Sequence, residues 1–449
     1  MDNKASTLYK TPPHDDEAEK SILGAILIDS QAVALVAEFI VPRHFYDRKH
    51  QLIFETMLLL FEEQTPIDVI TLKNKLTEKG TIKHCGGPKY LSELLNTVAT
   101  SAYVEQYAHI VKGLYTKRML IDISSRSVEK AFSSEGEIQE LIDSIESEIF
   151  LLAQENQHRD FIPLKEVLNE SFEKLEEFMK SGVGHRGVPT GFSTLDMKLS
   201  GLQDSNLIIL AARPGVGKTS FALNIALNIA MIQKRPVGFF SLEMSKEELA
   251  DRLLVGQSDV DAWRLKTGKL SDSDTSRVIK AMGELSDAQI FIDDTPGMSI
   301  MEMRTKARKL KAERGLDLII VDYLQLAQGG KRFESRVQEV SYISQGLKNL
   351  ARELKTPVLA LSQLSRAVEQ RGEKRPQLAD LRESGAIEQD ADVVMFIYSE
   401  GNDEDLLEPS QRAVKLSIAK HRNGSTGDID LIFRGDRIKF YTVENNHGL

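Results

Sequence analysis

The octapeptide Ala212-Arg213-Pro214-Gly215-Val216-Gly217-Lys218-Thr219 constrains this chain more than any other stretch. It follows a short apolar run, 207–211, and precedes a helical pattern, 220–232. A strand, a glycine loop and a helix start in that order aim backbone N–H groups and a helix N-terminus at one point, as a phosphate chain requires. In that frame Arg213, Pro214, Gly215, Val216, Gly217, Lys218, Thr219 and Ser220 wrap the phosphates. Lys218 reaches the β- and γ-phosphates and the Thr219 hydroxyl binds Mg²⁺, so the expected cofactors are ATP and Mg²⁺. One departure stands out: Ala212 occupies the position of the general pattern's first glycine.

The texture around the loop agrees. Past Gly187, β-branched runs at 207–211, 237–242, 318–322, 358–362 and 393–398 alternate with helical stretches, which predicts a mostly parallel sheet covered by helices. Runs at 414–419 and 429–433 flank Asn423-Gly424-Ser425-Thr426-Gly427 and predict a hairpin. Three of these strands end on polar groups suited to hydrolysis. Asp322 can hold the Mg²⁺ shell beside the loop, Glu243 can orient an attacking water as general base, and Gln363 can sense the γ-phosphate. Any one of them alone is equally a solvated strand end; two acids after two apolar strands fit the catalytic need better.

The first half reads differently. Residues 1–12 are expected to form a loose tail, and 13–155 an all-helical interaction domain that starts at Asp15 and Asp16. Ile22, Leu23 and Ile26 share one helix face, and Ile138, Leu141, Ile142, Ile145, Ile149 and Leu152 share another. Residues 156–186 make a linker carrying a helix whose apolar face, Leu164, Val167, Leu168, Phe172, Leu175 and Phe178, needs a partner. The motor domain then occupies 187–445. With 449 residues the chain suits two or three domains. A single cysteine, Cys85, excludes an intrachain disulfide, and the nine histidines form no zinc spacing. No apolar window spans a membrane and the N-terminus has no secretory h-region, so a cytoplasmic location is expected. A net charge of −10 confines any nucleic-acid contact to local basic segments.

Several ordered motifs together carry a family likeness. They are Thr190-Gly191-Phe192 with Leu195-Asp196, the phosphate loop, Ser241-Leu242-Glu243-Met244-Ser245, Asp322-Tyr323-Leu324-Gln325, Leu361-Ser362-Gln363-Leu364-Ser365-Arg366, and Asp380-Leu381-Arg382-Glu383-Ser384-Gly385 through Gln389-Asp390-Ala391-Asp392. With Pro12-Pro13-His14, Glu17-Ala18-Glu19 and Leu23-Gly24 near the start, the chain resembles the DnaB-type replicative helicases over nearly its whole length. The resemblance implies an α/β RecA-like P-loop ATPase domain at the C-terminal side, plus an all-α N-terminal domain joined by a linker helix. It also implies a homohexameric ring that unwinds duplex DNA by 5′ to 3′ travel, with primase and a helicase loader as partners. The family accepts alanine at position 212. By the same likeness Lys420 and Arg422 would reach a neighbouring subunit's site, as an arginine finger does.

Single-stranded DNA is the expected polymer. Two basic, flexible segments follow strand ends: one holds Lys331, Arg332 and Arg336, the other runs from Arg366 through Arg371, Lys374 and Arg375 to Arg382. The resemblance adds Glu383 and Gly385 beside Arg382. Each arginine alone is as readily a solvated loop cation, and Phe333 is the single aromatic nearby for base stacking. A recombination ATPase of the same core and a catalytically silent scaffold are the rival readings. The helical first half argues against the former, and the pairing of Glu243 with Asp322 against the latter.

Overall fold

The computed structural model describes residues 11–133, 138–155, 163–181, 186–330, 333–365, 368, 375–381, 385–399 and 410–443. The chain forms two compact units, Met1–Phe161 and Ile162–Leu449.

Among its described residues the first unit holds seven α-helices: α1 (Asp16–Ile28), α2 (Ala32–Ala37), α3 (Arg48–Glu62), α4 (Val69–Glu78), α5 (Gly87–Leu95), α6 (Val104–Phe132) and α7 (Ile138–Glu155). Asp15 caps α1 by accepting from Ala18 N, and the acids of the first turn oppose the helix dipole. Ile22, Leu23 and Ile26 are fully buried with Ile53, Phe54 and Leu91, as their spacing predicts. Gly24 permits the approach of α5: a Cβ there would collide with the Leu94 carbonyl oxygen. Arg118 of α6 donates to Pro13 O at 2.8 Å and His44 O at 2.6 Å, tying down the start of the described chain. Outward, α6 and α7 pair through Arg126 and Lys130 against Glu148, at 3.0 and 3.6 Å. The apolar stripe predicted for α7 is split: Leu152 is buried, whereas Ile138, Ile142 and Ile149 stay exposed, as do Ile121, Val128 and Phe132 of α6.

The second unit opens with α8 (Leu164–Ser181), whose Leu164, Val167, Leu168, Phe172 and Leu175 are likewise exposed. The rest is a nine-stranded sheet in the order β3-β2-β4-β5-β1-β6-β7-β8-β9. Its strands are β1 (Leu207–Ala212), β2 (Val237–Ser241), β3 (Ile290–Asp293), β4 (Leu318–Asp322), β5 (Val358–Gln363), β6 (Val393–Tyr398), β7 (Gln411–His421), β8 (Gly427–Arg434) and β9 (Lys439–Thr442). The first six are parallel and the last three fold back antiparallel, so the predicted hairpin is β7–β8. Helices α9 (Ser193–Leu199), α10 (Lys218–Leu227), α11 (Lys246–Ser258), α12 (Ala262–Thr267), α13 (Asp272–Ser286), α14 (Ile300–Arg314), α15 (Arg336–Leu354) and α16 (Gly385–Asp390) accompany it. Both faces of the sheet are covered: Ile208, Leu210 and Ala212 enter one core, Leu207, Ile209 and Ala211 the other. That is why the strand sequences are continuous apolar runs and not alternating ones. Two strands, β3 and β9, were not predicted. Both are four-residue edge elements, and β3 is only half-buried, so neither shows a long apolar run. The predicted 220–232 helix is α10 followed by a π turn, Asn228–Ile232.

Candidate nucleotide site

The chain leaves β1 toward β2 on one side and crosses from β5 to β6 on the other, which opens a crevice at the C-terminal ends of these strands. The octapeptide lies there. Gly217 caps α10 at φ 107°, and a Cβ on it would approach Phe440 Cζ to 2.8 Å, so only glycine fits between loop and core. Ala212 needs no such freedom. It is the last residue of β1, paired with Gln363 and Ile397 in ordinary strand register, and this explains why alanine serves where the general pattern has glycine.

Beneath the loop Lys218 Nζ stands 3.4 Å from Asp322 Oδ1, and Thr219 Oγ1 donates to Asp322 Oδ2 at 2.7 Å. Asp322 is fully buried, and its Oδ1 makes no hydrogen bond. Burial pushes the Lys218 ammonium below its ordinary pKa, with Asp322 and then Glu243 pulling the other way. The ammonium also sits 4.4 Å from the centre of the Tyr323 ring, whose hydroxyl is pushed up by burial and by the two acids. A buried carboxylate oxygen lacking a donor, next to a hydroxyl and a desolvated lysine, is a donor set that fits a hard divalent cation carried with phosphates.

The crevice encloses about 340 Å³, and Arg213, Pro214, Gly215, Gly217, Lys218, Thr219 and Ser220 line it with Glu243 and Gln363. Val216 belongs to the same loop but packs against the core. Glu243 is exposed two residues past β2, where it can meet a water. Gln363 ends β5; its N–H donates to Gln325 Oε1 at 3.4 Å, and Gln325 Nε2 donates to Ser362 Oγ at 2.9 Å. Sequence reading gave no role to Arg252, Tyr323 or Phe433, all of which line the crevice. Arg252 lies on α11, the helix that follows Glu243, and was within reach of helical periodicity; Phe433 comes from β8, which nothing local connects to the loop.

The other predicted residues are spread out. Lys420 and Arg422 lie at the far end of the sheet. Lys420 pairs with Val394 in β6 and its Nζ donates to Glu388 O, while Arg422 N donates to Asp392 O at 2.8 Å and Asp392 N donates to Leu207 O at 2.9 Å. Arg422 is thus level with the first residue of β1 and the phosphate loop follows the last, about 17 Å away along the strand. Its side chain is 57 % exposed and lies 3.6 Å from Asp392 Oδ1. Arg336 opens α15 and bonds to Glu339 and to the Gln325 carbonyl. Gly385 opens α16 with open space around it, and the Phe333 ring is half-buried against Gly329 and 5.4 Å from Tyr342. Lys331, Arg332, Arg366, Arg371, Lys374, Arg382 and Glu383 lie outside the described residues. No described helix is long and apolar enough to cross a membrane.

A largely parallel sheet with a strand–glycine loop–helix junction, and a buried acid at the end of β4 facing its lysine and threonine, defines a P-loop ATPase of RecA-like architecture. Comparison with known proteins goes further. Residues 187–442 match the family model of the DnaB-like helicase C terminal domain, and 11–113 that of the N terminal domain. The replicative DNA helicase DnaC of Bacillus subtilis is 42% identical over 97% of this chain and 96% of its own length, and DnaB of Geobacillus stearothermophilus is 43% identical over the same shares. Among solved structures, a DnaB-like replicative helicase described with its interactions with primase superposes with a TM-score of 0.74 at 34% identity, covering 96% of this chain and all of that one. A separately solved ATPase domain gives 0.59 at 39% identity over 64% of this chain and all of its own. The chain belongs to the DnaB-like helicases, a family of ATP-hydrolysing replicative DNA helicases.

Proposed function

We propose that this chain is one subunit of a homohexameric ring that hydrolyses ATP to travel 5′ to 3′ on single-stranded DNA and unwinds the duplex at the replication fork. The observation that carries the reading is the opposition of two half-sites. The phosphate loop with Lys218, Thr219, Asp322 and Glu243 lies at one end of the sheet, and Arg422 with Lys420 at the other. A protomer does not bring its own Arg422 to its own loop, which supports the reading that these cations serve the next subunit.

In that arrangement residues 213–220 hold the triphosphate through amides and Lys218, while Thr219 and Asp322 hold Mg²⁺. Held by Thr219 and Asp322, such a cation would supply Lewis-acid stabilisation of phosphate charge. Glu243 takes the proton from the attacking water, and Gln363 contacts the γ-phosphate. Arg422 and Lys420 of the neighbour neutralise the charge that develops on the transferred phosphoryl group. Loss of that group loosens the seam and releases the DNA segments, for which Lys331, Arg332, Arg366, Arg371, Lys374, Arg382, Glu383 and Gly385 are the proposed contacts. Tracking rests on phosphate contact, without sequence readout.

The proposed division is a tail at 1–12, a collar at 13–155, a linker at 156–186 and the motor at 187–445. The exposed apolar faces of α6, α7 and α8 are the surfaces such a ring would cover. Likeness to the helicase described with its interactions with primase supports primase, and by extension a loader, as partners in the cytoplasm. The test is unwinding of a forked duplex by the wild type, Lys218→Ala and Glu243→Ala, with electron microscopy of the assembly on the fork. Rings with unwinding lost in both variants are expected; unimpaired unwinding in either variant, or a protein that stays monomeric with MgATP and DNA, overturns the reading.

A further inference from the structure

Gln325 stands three residues past Asp322, on a 3-10 turn at Leu324–Leu326. Its side-chain amide grips the end of β5 from two sides. It accepts from Gln363 N at 3.4 Å and donates to Gln363 O at 3.5 Å, and the same nitrogen reaches Ser362 Oγ at 2.9 Å. Its backbone carbonyl accepts from Arg336 Nη2, Arg336 Nη1 pairs with Glu339 Oε2, and Glu339 Oε1 accepts from Gly329 N at 3.2 Å. An unbroken polar chain therefore runs from Gln363, on the crevice wall, to Gly329, at the head of the basic segment.

The rest of that segment's base is anchored too. Gln328 N donates to Met298 O at 3.1 Å, Ile300 N donates to Gln328 O at 3.4 Å, and the Phe333 ring lies so close to Gly329 that a Cβ there would overlap it. The backbone at Gln328 and Gly329 is thus held in place, and the Glu339 bond to Gly329 is part of that hold. Arg336 is occupied at both ends of its guanidinium, by a carbonyl and by a carboxylate that cancels its charge, which is a poor state from which to bind a phosphodiester.

We infer that Gln325, Arg336 and Glu339 are positioning residues that transmit occupancy of the nucleotide crevice to the DNA-facing segment after Gly329, and that Arg336 works inside the protomer instead of on DNA phosphate. The inference rests on the helicase reading above, because it needs DNA to stimulate turnover.

The test uses the full chain as wild type, Glu339→Gln, Arg336→Ala and the double variant. ATP turnover is measured without DNA and with an oligothymidylate, and oligothymidylate affinity is measured across salt. Glu339→Gln keeps the shape of the side chain and its acceptor for Gly329 N but removes the charge that holds Arg336. It should leave DNA-free turnover within about two-fold while cutting the DNA stimulation about ten-fold, within the range of a typical coupling energy. Arg336→Ala should lose the same stimulation, the double variant no more, and the salt dependence of DNA binding should stay that of the wild type. Full stimulation in Glu339→Gln overturns the inference. So does a fall of about 0.7 in the salt slope for Arg336→Ala with tighter binding in Glu339→Gln, the signature of a phosphate contact. A wild type that DNA does not stimulate overturns the helicase reading itself, and the two failures are separable on the same plate.

Discussion

The two units bury carboxylates in opposite ways. In the helical unit Glu19 of α1 accepts from Tyr46 N at 2.5 Å and Asp47 N at 3.3 Å, and its Oε2 meets His50 Nδ1 at 2.6 Å. His50 in turn bonds Tyr90 through Nε2 at 2.6 Å. Both oxygens are answered, three elements are pinned together, and the group is structural. In the motor unit Asp322 is buried just as deeply, but one oxygen has no hydrogen bond. The difference separates two uses of a buried acid: the closed network around Glu19 stabilises, whereas Asp322 Oδ1, with the Lys218 ammonium 3.4 Å away and no hydrogen bond, stays available to a cation carried with phosphates.

The contrast predicts that changes at Asp322 cost turnover and changes at Glu19 or His50 cost stability. The largest effect is expected for Asp322→Asn, about 10³-fold in ATP turnover, the scale of removing one preorganised electrostatic contact at a reacting centre. Steady-state hydrolysis measures it; a variant that instead lost its fold with normal turnover per folded molecule would erase the distinction. Next is Glu243→Gln, with about 10²-fold lower turnover at unchanged nucleotide affinity, read by pairing hydrolysis with equilibrium binding. His50→Leu should lower the stability of the helical unit by about 3 kcal/mol, since it leaves Glu19 buried with a partner removed, and denaturant unfolding of the full chain measures this. Hydrolysis per folded chain should hold. The smallest effect is expected for Ala212→Gly, which moves the loop toward the general pattern yet costs roughly 0.5–1 kcal/mol because a strand residue gains backbone freedom.

What sequence could reveal follows the range of the interactions involved. The phosphate loop was legible because its geometry is local: Gly217 caps the helix that begins at Lys218, and all the donors lie within eight residues. The five long parallel strands were legible because burial on both faces writes itself as unbroken apolar sequence. The edge strands β3 and β9 left no such trace. Phe433 and Phe440 were missed at the site for a related reason. They stack under the loop at a ring distance of 4.5 Å, but they reach it from β8 and β9, far downstream in the chain, and read locally as strand aromatics. Arg336 shows the converse limit: composition marks a cation in a flexible segment, and only coordinates reveal that Glu339 and the Gln325 carbonyl already hold it.

The opposition of Arg422 and the phosphate loop across the sheet has a consequence for mixtures. On the proposed reading, in which Arg422 serves the next subunit, a chain carrying Arg422→Ala keeps an intact loop and lacks the cation for its neighbour; a chain carrying Lys218→Ala keeps the cation and lacks the loop. Each alone should be inert, yet wherever the first receives the second's arginine a whole catalytic centre should reappear. Two dead proteins combined in one assembly should therefore complement each other and turn over ATP.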